Sequence, residues 1–268
     1  MRRIHLFEFE DFSWFPSSLR DCMTQMLIVV HRIFGTSKDL TGVVQRVLHE
    51  SGQTKIIDLC SGSGGPMPEI VRTLRATKGL GDLRLELTDL YPLDNAAAQF
   101  GEQAQTGISY RTTPVDATNV GDVAGVRTLI CGFHHMRPEV ARQILQNAQQ
   151  SGQPICILEI SDNSVPPPWL FWIGLPLNFL FGLVVSVMVR PMTARQVVFT
   201  WLIPILPICF AWDGAVSNVR TYSLSDLDQL LWGLEADNYR WEKGLIEGKL
   251  GNKIYLLGFP DSSSPLAM

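Results

Sequence analysis

Two adjacent histidines, His134 and His135, close the apolar run "VRTLICGF". An imidazole titrates near neutral pH, so either ring can take a proton from an oxygen or a nitrogen, or serve as pocket wall. Glu159 ends a second apolar run, "ICILE", with Asp162 just beyond it. One of these carboxylates can face a ligand, or both can cap the next segment. Further on, "AWDGAVSNVRTYS" gathers Asp213, Asn218, Arg220 and Tyr222 directly after a long uncharged block. Such a cluster suits contact with a substrate; the alternative is an Asp–Arg pair that anchors the block. The candidate catalytic residues are therefore His135, His134, Asp213, Glu159 and Tyr222. No other His or Cys lies at a ligand-like spacing from the histidine pair, so no metal is expected.

A glycine-rich turn supplies a second kind of chemistry. In "IIDLCSGSGGPMPEI", Asp58 ends an apolar strand and Gly62, Gly64 and Gly65 follow. Glycine lets the backbone turn sharply and approach a ligand without a Cβ in the way. A dinucleotide loop, G-x-G-x-x-G, would need a third glycine where Met67 stands, and a Walker loop would need Gly-Lys-Ser/Thr. Neither is present.

The elements that must position these residues follow from punctuation and periodicity. Ser17 or Ser18 can open a helix that ends at Gly35, and a second helix fits residues 38–49. From residue 55 to 161, short apolar strands alternate with helical stretches, which predicts a parallel sheet with helices on both faces. Later, Ser223 or Ser225 opens a helix, and "YRWEKGLIEG" and "NKIYLLGF" form two closing strands joined at residues 248–251.

In its ordered landmarks this pattern resembles the class I S-adenosylmethionine (SAM) methyltransferases. The glycine loop reads D-x-x-x-G-x-G-G; "LTDLYP" follows at the second strand, "VDATN" after the third, "LICGFHHM" at the fourth and "ICILEIS" at the fifth. The resemblance covers residues 54–161 and the final helix and hairpin. It implies a doubly wound, mostly parallel seven-stranded α/β sheet in the order 3-2-1-4-5-7-6, its last strand antiparallel. It implies SAM as cofactor and S-adenosylhomocysteine (SAH) as product. By the same resemblance Asp58, Gly62, Gly64 and Gly65 form the cofactor loop. Asp89, with Leu90 beside it, would hold the ribose, since a carboxylate accepts two hydrogen bonds at once. Asp116 and Ala117 would meet the adenine, and Phe133 would line the site. The N-terminal "FEFEDFSWFP" would fold over the cofactor as a lid, dock on a membrane, or pack as core.

The expected organisation is an N-terminal helical lid over 1–53, a SAM-binding core over 54–162, an apolar helical insertion over 163–212, the rest of the core over 213–260 and a tail over 261–268. Charged residues make up 18%, below the roughly 25% of ordinary soluble proteins, and the deficit lies in the insertion. Residues 169–189 are long enough to span a bilayer. Two spans, however, would place Arg190 and Arg195 outside, against the positive-inside tendency. A broken hairpin at the membrane interface fits better, with Trp169, Trp172, Trp201 and Trp212 toward its ends; an internal substrate chamber is the competing reading.

Five widely spaced cysteines suit a reducing compartment. A net charge of −4 argues against a nucleic-acid partner. The expected function is methyl transfer to a lipophilic small molecule or lipid by a cytoplasmic protein at the inner face of a membrane. The alternatives are methylation of protein or tRNA, or a SAM-binding membrane-associated protein without turnover.

Overall fold

The computed structural model describes residues 1–101, 106–121, 123–248 and 251–261. The tip of the closing hairpin, the expected end of the helix over 93–104 and the expected tail beyond Asp261 lie outside these residues.

Two helices come first, α1 (Ser17–Ile33) and α2 (Thr36–Ser51). The alternating part follows as β1 (Lys55–Asp58), α3 (Met67–Arg75), β2 (Arg84–Leu87), α4 (Asp94–Gly101), β3 (Ile108–Tyr110), β4 (Val126–Ile130), α5 (Pro138–Gln150) and β5 (Ile155–Glu159). The insertion contributes α6 (Pro167–Met188) and α7 (Ala194–Leu202). Then come α8 (Ile205–Arg220), α9 (Leu224–Leu231), β6 (Tyr239–Ile246) and β7 (Lys253–Pro260).

The strands form one seven-stranded sheet in the order β3-β2-β1-β4-β5-β7-β6. β7 runs antiparallel to both neighbours and the remaining pairs are parallel. Adjacent strand residues point to opposite faces. Ile56 and Leu158 accordingly join a core with α2, α3 and α4, while Ile57 and Ile157 join one with α5 and α9. The helices match this division: α3 buries Met67, Ile70, Val71 and Leu74 on a single stripe, and α5 buries Ala141, Ile144, Leu145 and Ala148.

A third core has no strand in it. Phe15, Cys22, Met26 and Val30 of the N-terminal region pack against Val185, Leu206 and Phe210 of the insertion. Gly182 lets α6 approach α8 closely, since a Cβ there would stand 3.1 Å from Phe210 Cδ1. The insertion is therefore one half of a packed unit, with α1 as the other half.

The structure departs from expectation at the polar stretch "AWDGAVSNVRTYS". It is largely helical, because α8 runs unbroken through the expected boundary at residue 213. The break lies earlier, at Pro204, where α7 and α8 meet at 79° and proline cannot donate to a continuing helix. Ser223 is the residue that opens α9; its Oγ accepts from Asp226 N in a capping box.

Gly64 adopts φ +96°, and a Cβ there would lie 2.9 Å from Phe100 Cζ and 3.3 Å from Leu87 Cδ1. Gly64→Ala is therefore expected to destabilise the fold by about 1–3 kcal/mol through backbone strain and overpacking. A thermal midpoint unchanged from wild type would contradict this.

Candidate functional site

The site lies at the carboxyl ends of the central strands. Among the described residues, three non-glycines have positive φ: Cys60 (55°), Cys131 (54°) and Asn163 (54°). They follow β1, β4 and β5 respectively. Sparsely populated backbone of this kind gathers where a ligand site over-determines it. The first two loops touch, since a Cβ on Gly132 would stand 3.8 Å from Cys60 Cβ.

The glycine loop is braced from two sides. Gly62 N donates to Asp89 Oδ2 at 2.9 Å, and Tyr91 N donates to Asp89 Oδ1 at 2.9 Å. Each Asp89 oxygen keeps a second lone pair. Asp58 is different. Thr128 Oγ1 donates to its Oδ1 at 2.5 Å and Ser61 Oγ to its Oδ2 at 2.8 Å. Burial pushes its pKa up to about 7, against those two hydrogen bonds. Asp58 thus ties β1 to β4 and to its own loop. Gly62 and Gly65 have positive φ and open space where a Cβ would stand, whereas Gly64 is required by Phe100. Leu90 is exposed beside Asp89, and Asp116 is exposed with Oδ1 accepting from Thr118 N and Oγ1. Ala117 is buried beneath it.

The histidines face the neighbouring loops. Glu159 only accepts, so the His134 ring donates from Nδ1 to Glu159 Oε2 at 2.8 Å, and His134 N donates to Oε1 at 3.0 Å. Burial alone would lower the His134 pKa, but the Glu159 charge and hydrogen bond raise it. His135 donates from Nδ1 to Asp11 Oδ1 at 2.9 Å. The Asp11 carboxyl is held well below its usual range; burial opposes this, and the hydrogen bonds from His135 and Arg220 outweigh it. The other ring nitrogens turn toward Glu8, with His134 Nε2 3.8 Å from Oε1 and His135 Nε2 3.8 Å from Oε2. Arg220 Nη1 completes the cluster, 2.6 Å from Asp11 Oδ2 and 3.1 Å from Glu8 Oε1.

Asp213 does not pair with Arg220. Its Oδ1 accepts from Phe9 N at 2.8 Å, and its Oδ2 has no hydrogen-bond partner. Burial pushes the Asp213 pKa up to about 7, with the Glu8 and Glu10 charges adding to the rise and the Phe9 amide opposing it.

Two of the candidate residues lie in the core. Tyr222 is only 2% exposed. Its hydroxyl donates to Met136 O at 2.7 Å and its ring lies between Phe133 and the Arg3 guanidinium. It braces the loop after β4 from the core side. Phe133, its stacking neighbour, is buried in the same core and offers no side-chain surface to a cofactor.

A cavity of about 420 Å³ joins these parts. One end is polar, lined by Glu8, Glu10, His134, His135, Glu159 and Asp213. The other is apolar, lined by Met23, Leu27, Val30, Phe34, Phe181 and Phe210 from α1, α6 and α8. Cys131 lines it too, so the cavity reaches the loop that touches the glycine turn.

No protein-family model and no curated protein matches the sequence. Solved structures match in shape. The plantazolicin methyltransferase BpumL in complex with SAH is 10% identical, over 91% of this chain and 98% of that chain, with a TM-score of 0.51. Its complex with a pentazolic desmethylPZN analog and SAH aligns at 9% identity over 91% and 99%, with a TM-score of 0.52. Its complex with the monoazolic analog and SAH gives 9%, 91%, 98% and 0.52.

The chain has the class I methyltransferase fold.

On that fold the N-terminal segment takes a specific place. It runs along α8, with Ile4 N donating to Val219 O at 2.8 Å and Trp212 Nε1 to Phe7 O at 2.9 Å. Arg3 Nη2 donates to His134 O at 2.8 Å. The segment thus covers the histidine loop, brings Glu8 and Glu10 to the polar end of the cavity and sets Asp11 against His135 and Arg220. The sequence reading gave this segment as a lid, a membrane dock or core and assigned its acids no role. They are brought there by a short 3-10 turn over Phe9–Asp11, which no periodicity in the sequence announces. Arg220 was noticed within its cluster but not as the residue that neutralises Glu8 and Asp11.

Proposed function

We propose that the protein is a SAM-dependent methyltransferase acting on a lipophilic small molecule or lipid that it meets at the cytoplasmic face of a membrane. The observation that carries this reading is the cavity, apolar toward the insertion, lined elsewhere by carboxylates and histidines, and reaching Cys131 in the loop after β4. The residues present fit SAM: left-handed glycines with free space at 62 and 65 can admit a ligand closely, and Asp89 retains lone pairs for two ribose hydroxyls. Gly62, Gly65, Asp89, Leu90, Asp116 and Ala117 would hold it. When bound, SAM supplies a methyl group made electrophilic by its sulfonium.

The chain's own contribution is alignment, exclusion of water and removal of a proton. Apolar walls from α1, α6 and α8 hold the acceptor's greasy part. Its reacting end meets the polar end, where Asp213 Oδ2 is the proton acceptor; a base works best when its pKa lies near working pH. His135, His134 and Glu159 orient that end. The resembling structures agree with this reading in fold, and BpumL was crystallised with SAH.

The membrane contact rests on one exposed apolar face. In α6, 22% of the most apolar window is buried, so it is not the interior helix of a core. Trp172 is 83% and Leu202 78% exposed, and Trp169, Leu177, Leu180, Val184 and Trp201 are exposed with them. Trp169, Trp172, Leu177, Leu180 and Val184 recur at helical spacing and so share one face of α6, and an exposed apolar face marks an interaction surface. Arg190, between the two helices, and Arg195, in the first turn of α7, are both exposed, placed to meet lipid phosphates.

The test is transfer of a labelled methyl group from SAM into a total lipid extract, with vesicle sedimentation in parallel. Label is expected in the organic phase and protein in the vesicle pellet. Deleting the insertion would strip α1 of its packing partner, so the surface variant Trp172→Asp/Leu202→Asp is the better probe. It should lower both pelleting and turnover while SAM affinity holds. Label found only in protein or tRNA, or full turnover without vesicle association, would rule the reading out.

A further inference from the structure

We infer that Glu8, His134 and His135 form a divalent-metal site at the polar end of the cavity. Each offers one ligand atom, and the three atoms lie within 4.8 Å of one another. Both imidazoles donate from Nδ1 to a carboxylate, His134 to Glu159 and His135 to Asp11. A neutral ring that donates from Nδ1 has its lone pair on Nε2. Carboxylate–histidine pairs of this kind are the usual outer support of a metal-bound imidazole, because they set the tautomer and ring orientation. Here two of them stand side by side.

Both Nε2 atoms point at one carboxylate, and neither hydrogen-bonds to it. The separations of 3.8 Å are too long for a hydrogen bond. Glu8 is only 3% exposed, and its Oε1 has no hydrogen-bond partner; its contact there is the ion pair with Arg220. Two imidazole Nε2 atoms thus stand close to one buried carboxylate without hydrogen-bonding to it. In tetrahedral coordination with bonds of about 2.0–2.1 Å, ligand atoms stand about 3.3 Å apart. The three ligand atoms, within 4.8 Å of one another, would draw together by up to about 1.5 Å to close the set.

Charge points the same way. Three buried or half-buried carboxylates, Glu8, Asp11 and Glu159, surround the pair, and one guanidinium, Arg220, faces them. A divalent cation would offset the excess of these carboxylates over the single guanidinium. Two imidazoles and one carboxylate suit Zn²⁺, Mn²⁺, Fe²⁺ or Co²⁺ and do not suit Ca²⁺. Three protein ligands leave a coordination position open, as in catalytic sites, and the cavity adjoins it. The sequence reading set metal aside because no His or Cys had ligand spacing with the pair. The third ligand is a carboxylate from the start of the chain, which spacing cannot reveal.

The test uses the full-length protein, stripped with chelator and titrated with ZnCl₂ by calorimetry and with MnCl₂ by electron paramagnetic resonance. One ion per chain is expected. Glu8→Gln and His135→Ala should each weaken Zn²⁺ binding by at least about tenfold, and Glu159→Gln by about 10–100-fold. Because such variants can misfold, ¹⁵N histidine spectra of the unmutated protein provide a second measure. On adding Zn²⁺, Nε2 of His134 and His135 should shift while His5, His31 and His49 do not. No stoichiometric binding, binding undiminished in both folded variants, or spectra showing two imidazolium rings unaffected by Zn²⁺ would overturn the inference. These readouts do not depend on methyl transfer, so the site and the proposed activity can fail separately.

Discussion

Asp213→Asn is expected to lower kcat by about 10²–10⁴ and to leave SAM affinity unchanged. The substitution keeps shape and hydrogen bonding but removes the ability to accept a proton. Asp213 suits the role because its Oδ2 is unpartnered and it lines the cavity. Its pKa is pushed up to about 7, first by burial and then by Glu8 and Glu10, with the Phe9 amide opposing. The active form is the carboxylate. Turnover should therefore climb with pH below about 7 and level off above it, and the variant should lose that limb.

Stability carries the opposite sign. The folded-state pKa lies above the ordinary aspartate value of about 3.8, so between those values the folded protein binds more protons than the unfolded chain, and stability falls as pH rises. Glu10 and Asp58 are also pushed up to about 7 by burial, so the variant removes only part of this slope. Pre-steady-state methyl transfer and thermal midpoints across pH would check both. Full activity of Asp213→Asn would return the proton to another group.

Asp89→Ala is expected to weaken SAM binding by about 30–700-fold, equivalent to about 2–4 kcal/mol for two lost hydrogen bonds. The structure adds a reason beyond ribose contact. The same carboxylate holds Gly62 N and Tyr91 N, so its loss also frees the glycine turn. Asp89→Asn should fall between the two, since an amide oxygen can still accept from one side. Calorimetry reads the affinity and thermal unfolding checks that the fold survives. Unchanged affinity in a folded Asp89→Ala would remove Asp89 from the cofactor site.

The sheet was legible because its signals are local. Each strand is a short apolar run, each helix buries a stripe at helical spacing, and the glycines at 62, 64 and 65 stand where the backbone turns to the left. Alternation of strand and helix leaves few topologies open, and the resemblance selected the order that the structure shows. The histidine pair, Glu159 and Asp213 were recognisable by residue type at the ends of apolar segments.

Tertiary structure alone decided what those residues do. Tyr222 has the chemistry of an active-site residue and the environment of a core residue; burial against Phe133 and a hydrogen bond to Met136 settle its role. Gly64 belongs to the ligand loop in sequence but serves Phe100 in space. Glu8 and Asp11 meet His134, His135 and Arg220 from the far end of the chain. No local periodicity encodes such contacts, because they depend on where α8 carries its polar residues and how the N-terminal segment lies against it. The apolar insertion divides the same way. Its composition announced an uncharged helical hairpin, and only packing against α1 determined which side is core and which side is bare.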